Sequence, residues 1–118
     1  MSKKNTFSEL AINRYALALY EVAKEESILE KVEEESTSIL ELLKINTEFK
    51  SLVQDPTNKM NEQVNSIKLI AKKFTFSLIF SKFLGFLVSK RRFFFLEKIL
   101  KNFLTICSKK RGEILAKL

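Results

Sequence analysis

Histidine and tryptophan are absent from this 118-residue chain, and cysteine occurs once, at Cys107. Without histidine there is no imidazole base, no histidine-dependent nucleophile and no histidine metal site. A lone cysteine forms no internal disulfide, which fits a reducing compartment. Only two glycines and one proline occur. That is too few for a collagen repeat, a phosphate-cradling glycine loop or a turn-rich all-β fold. The most apolar stretch, residues 74–89, is interrupted by Lys82 and bounded by Lys73 and Lys90. It falls short of the roughly 20 apolar residues that span a bilayer. The start, Met1 to Thr6, has lysines but no apolar segment behind them, and Glu9 and Glu21 come early. That pattern matches neither a secretory signal nor an arginine-rich presequence. These absences set most enzyme classes aside.

What is present is a core-forming composition, 46% apolar and 30% charged, enough for one domain, or one domain and a fragment of a second. The net charge of +7 is unevenly spread. Residues 1–58 hold seven Lys/Arg against eleven Asp/Glu, a net of −4, and residues 59–118 hold fourteen against three, a net of +11. A basic half is either a nucleic-acid footprint or a solvated surface whose acidic counterpart lies elsewhere in the same bundle.

Helical periodicity runs through almost the whole chain. Thr6 to Glu9 and Ser27 to Glu30 both read as capping boxes, with helix 1 between them ending near Lys24. Helix 2 places Ile28, Val32, Ile39 and Leu43 on one stripe. Its glutamates Glu33, Glu34 and Glu41 fall outside that stripe, while Glu35 falls on it and is expected at its edge. Residues 47–53 make about two turns, closed by Asp55-Pro56. Helix 4 starts near Asn61 with Val64, Ile67, Ala71 and Phe74 at helical spacing. Helix 5, Ser77 to Ser89, is apolar nearly all round, which predicts burial on more than one side. After Lys90-Arg91-Arg92, helix 6 presents Leu96, Ile99, Leu100, Phe103 and Cys107, and Gly112 is expected to stop it.

Catalytic constellations are missing. The clustered carboxylates Glu33 to Glu35 lack a clear apolar setting, Cys107 lies on an apolar stripe, and no metal-ligand spacing occurs. No cofactor is expected. The cations Lys90 to Arg92 beside Phe93-Phe94-Phe95 allow an RNA-binding reading, by phosphate contact and base stacking. The competing reading places the phenylalanines in the core, and nine of the eleven Phe lie after residue 73, where they would fill a bundle interior. An interfacial membrane helix over residues 74–89 is a third possibility. Helix 1 carries two stripes: Ile12, Ala16, Leu19 and Ala23 on one, Ala11, Tyr15, Ala18 and Val22 on the other. One is needed for a core. The other is a second core face or a groove for a partner helix.

The segment Ile12 to Ala23 resembles the opening A-x-x-Y-A-x-A-L-F-x-x-A helix of the F-type ATP synthase delta subunit and oligomycin-sensitivity-conferring protein family, with Ile12 and Tyr20 in place of Ala and Phe. Phe49 to Pro56 is similar to the family's F-x-x-x-L-x-x-P stretch, with Val53 at the Leu position. Lys68, Phe83-Leu84, Leu87-Val88, Arg92 and Phe103 follow in order, and Arg111 to Ala116 looks like the crossing into the family's second domain. The family commonly has glycine where this chain has Arg91, and its C-terminal signature lies beyond Leu118.

The resemblance implies an all-α six-helix bundle over residues 1–110, with residues 111–118 the start of a truncated C-terminal α/β domain. It implies a non-catalytic stator subunit of the proton-translocating ATP synthase, peripheral to the cytoplasmic face of the bacterial inner membrane. In the family, the N-terminal helix of an alpha subunit docks between helices 1 and 5, and b-type stalk subunits meet the second domain. Carried over, the docking residues are Ala11, Tyr15, Ala18, Leu19 and Val22 of helix 1 with Leu84, Phe86 and Val88 of helix 5. Leu84 and Val88 share a face and Phe86 points roughly the opposite way. Docking requires an open apolar slot between those helices.

Overall fold

The computed structural model describes residues 7–57 and 59–116, the side chains of 113–116 excepted. Six α-helices account for most of them: α1 (Phe7–Glu25), α2 (Leu29–Ile45), α3 (Thr47–Gln54), α4 (Met60–Phe74), α5 (Leu78–Ser89) and α6 (Leu96–Ala116). A short 3-10 turn, Phe93–Phe95, precedes α6. The expected all-α bundle is what forms.

Helices α1 and α6 make the most extensive contact and are the spine of the bundle. The predicted α6 stripe, Leu96, Ile99, Leu100, Phe103 and Cys107, is wholly buried. It meets Ile12, Ala16, Leu19, Tyr20 and Ala23 of α1, Val32, Ile39 and Leu43 of α2, and Phe80, Leu84, Leu87 and Val88 of α5 in one core. Burial pushes the Cys107 thiol up to about 12, and the nearby Glu33 carboxylate adds to the effect. The thiol is therefore protonated and inert at neutral pH.

The short connections are tied by side chains. Asn46 alone separates α2 from α3, and its Oδ1 accepts from the Phe49 amide at 2.9 Å, a standard N-cap. After α3, Asp55 Oδ1 accepts from the Thr57 amide at 2.9 Å and the Thr57 hydroxyl at 2.7 Å, which holds its carboxyl below the usual range. The buried Gln63 of α4 donates to the Leu52 carbonyl at 3.0 Å, joining α4 to the end of α3.

Two expectations are corrected. Thr6 of the first capping box lies outside the described residues, but the second box does not form. Ser27 instead has φ 59°, its amide donates to the Lys24 carbonyl at 3.1 Å, and the Ile28 amide donates to the Ala23 carbonyl at 3.0 Å. That is a Schellman ending for α1, so α2 starts at Leu29 without a side-chain cap. Secondly, Gly112 does not stop α6, which runs to Ala116. No left-handed residue is required there, and Arg111 ties the last turns to α2 through two bonds to Glu33, at 2.8 and 3.2 Å. Burial of α5 does extend over more than one side: Phe80, Leu84, Leu87 and Val88 are buried and Ile79, Ser81, Phe83 and Gly85 half-buried, which leaves a narrower exposed strip with Leu78 and Phe86.

The α5–α6 turn explains why glycine suits it. Arg91 has φ 57°, with its amide bonded to the Val88 carbonyl at 3.0 Å and the Arg92 amide to the Leu87 carbonyl at 2.8 Å. A left-handed non-glycine residue costs roughly 1–2 kcal/mol, partly offset by the lower flexibility of the unfolded chain. Arg91→Gly should therefore raise the unfolding free energy by about 0.5–1 kcal/mol in a urea titration. An unchanged midpoint would mean that this turn is not strained in solution.

Candidate partner-binding site

At about 100° per residue, the buried face of α1 is centred on Ile12, Ala16, Leu19 and Ala23. The second stripe lies beside it. Ala11 and Tyr15 are half-buried, and Ala18 and Val22 are exposed. Phe7, one turn before Ala11, and the neighbouring Leu10 are also exposed. Phe7 extends the apolar stripe toward the start of α1 by the i, i+4 spacing from Phe7 to Ala11, while Leu10 points about 100° away from Ala11.

On α5 the opposition of Phe86 to Leu84 and Val88 is real. Leu84 and Val88 are in the core, while Phe86 is 44% exposed. Its ring meets that of Tyr15 edge-on, with centroids 5.9 Å apart and planes at 66°, a favourable aromatic geometry. Lys90 stands at the end of this pair, with Nζ 5.7 Å from the Phe86 ring centroid.

The open slot expected between α1 and α5 is already filled by the chain's own side chains at Leu19, Leu84 and Val88. These three are almost completely buried and offer no surface to a partner, because they are packed in the common core. What remains is a shallow apolar seam with Tyr15 and Phe86 as its floor and Ala11, Ala18 and Val22 along one side. A helix laid along it would rest on these side chains. The small side chains of Ala11 and Ala18 allow that helix to approach closely.

Elsewhere, Phe93 is buried and Phe95 half-buried, and only Phe94 of the three is exposed. These rings therefore do not form a face on which bases could stack. On α5, Phe80, Leu84, Leu87 and Val88 are spent on the core, while Leu78 and Phe86 remain exposed. Among the described residues, no helix is long and apolar enough to cross a membrane, and no group of His, Cys, Asp and Glu is placed to hold a metal.

The sequence profile described as ATP synthase delta (OSCP) subunit matches residues 12–118. The chain is 48% identical over all its residues to the ATP synthase subunit delta of Pelagibacter ubique, covering 64% of that protein. It is 32% identical over 98% of its length to the ATP synthase subunit delta of Dinoroseobacter shibae, covering 62% of that protein. The chain thus spans somewhat under two thirds of the length of these curated relatives. Its fold is similar to that of a chain in the cryo-EM structure of the Toxoplasma gondii mitochondrial ATP synthase hexamer, with a TM-score of 0.73 and 28% identity over 78% of this chain and 51% of that one. With both sequence and fold in agreement, the chain belongs to the ATP synthase delta (OSCP) subunit family.

Proposed function

We propose that this bundle is the head-binding part of a stator subunit of the F-type proton-translocating ATP synthase. It has no active site of its own. It holds the N-terminal helix of an alpha subunit along the α1–α5 seam, so that rotor torque is not lost as rotation of the catalytic head. The observation that carries this reading is the exposed apolar stripe on α1 closed against Phe86 of α5, in a chain of the delta family. A stator resists torque without chemistry, and a buried apolar contact suits that task better than titrating groups. By the same family resemblance, the division at residue 110 and contact with b-type stalk subunits through a following domain are proposed. So is a position peripheral to the cytoplasmic face of a bacterial inner membrane, reached through the complex.

A nanomolar contact needs about −12 kcal/mol, concentrated in a few anchors. Tyr15 is the central aromatic on the α1 side. Tyr15→Ala should weaken binding of a peptide copied from the alpha-subunit N-terminus by about 30-fold or more while circular dichroism stays unchanged. Equal affinities for wild type and variant would refute the seam as the docking site.

A further inference from the structure

The exposed side of α5 carries charge of one sign. Lys82, Phe86 and Lys90 are spaced four residues apart and form one row along the helix, and α5 holds no acidic residue. Both lysines are exposed, and among the described residues neither is engaged in an ion pair. Lys90 is also positioned by the aromatic floor of the seam, its ammonium over the Phe86 ring. Across the seam, the outer flank of α1 carries both signs, Arg14 and Glu21. The seam is therefore electrostatically one-sided.

We propose that Lys82 and Lys90 are specificity-determining residues that select a partner helix bearing carboxylates on the flank lying against α5. This rests on the docking reading above and adds the chemistry of the occupant. An apolar seam this shallow discriminates poorly between amphipathic helices, and it leaves a docked helix free to roll about its axis. Two cations on one wall remove that freedom, because only one rotational setting places the apolar stripe on Tyr15 and Phe86 and the carboxylates beside Lys82 and Lys90. Rim charges of this kind act on encounter rate and register more than on final affinity, and their effect is screened by salt.

The test compares wild type with the Lys82→Glu/Lys90→Glu variant. The probes are a peptide of the alpha-subunit N-terminus from the same organism and a copy with its Asp and Glu changed to Asn and Gln. Binding is read by fluorescence anisotropy at about 50 and 500 mM salt, which differ several-fold in screening length. At low salt the reversal should weaken the natural peptide about tenfold, and at high salt no more than about twofold. The amidated peptide should not distinguish the two proteins. If the natural peptide binds both proteins equally while Tyr15→Ala still weakens it, the charge proposal is overturned and the docking reading stands. If the amidated peptide loses as much as the natural one, the lysines act by packing and the proposal is likewise overturned. No binding by wild type removes both readings. Self-association of wild type that the reversal abolishes would overturn the proposal in favour of a second copy of this chain as occupant.

Discussion

Truncating Phe80 to alanine should lower the unfolding free energy by about 3–5 kcal/mol, the upper range for a large side chain in a core. The ring is fully buried and meets Phe76 edge-on at 5.0 Å, with Phe76 in turn stacked on Phe74 at 5.7 Å. The backbone at this point has little freedom to collapse into the gap. The Phe80 amide donates to the Ser77 hydroxyl at 3.2 Å, which fixes where α5 begins. Against a total stability of about 5–15 kcal/mol, a thermal melt should fall by more than about 10 °C. A loss below about 1 kcal/mol would show that α5 slides to fill the space despite its Ser77 cap.

Replacing Glu35 with alanine should cost about 3 kcal/mol, although surface glutamates on the same helix should cost almost nothing. Glu35 is only 3% exposed. One carboxylate oxygen accepts from the Ser77 amide, and the other accepts from the Ser77 hydroxyl at 2.8 Å. Hydrogen bonds to a charged group contribute about 1.5–3 kcal/mol each, and the desolvation of the carboxylate offsets part of that. Alanine also leaves the half-buried Ser77 amide and hydroxyl without their acceptor. Glu35→Gln, which keeps the shape and one acceptor oxygen, should cost about half as much. Urea titrations of both variants read the difference. If Gln and Ala were equally mild, the α2–α5 link would be incidental to the fold.

Glu35 also shows where sequence reading loses its grip. On helical spacing it falls on the apolar stripe of α2, where an edge position is the natural expectation, yet it is buried. Its partner, Ser77, is 42 residues away, and no local pattern announces that pairing. The number of helices and most of their limits were legible, because apolar spacing, Asp55-Pro56 and the basic break at residues 90–92 are local signals. Ser27 misled for a related reason. A serine three residues before a glutamate looks the same whether it opens the next helix or closes the previous one, and only φ separates the two. Arg91 was legible as a departure from the family's glycine, and the left-handed turn supplies the reason for that glycine. For the candidate site, the second stripe of α1 could be read from one helix alone. That Leu19, Leu84 and Val88 are consumed by the core could not, since it depends on how α1, α5 and α6 converge. Phe86 and the Leu84–Val88 pair lie on opposite faces of α5, and it is the face carrying Phe86 that reaches solvent.

The carboxylate at Ser77 has a mechanical consequence. Force applied to Phe86 runs down the hydrogen-bonded backbone of α5 to its first turn, and there it is received by a different helix. The load is thereby shared with α2, which lies against α6. A handle on the outside of the bundle is thus fastened to its interior by a rivet rather than by a loop.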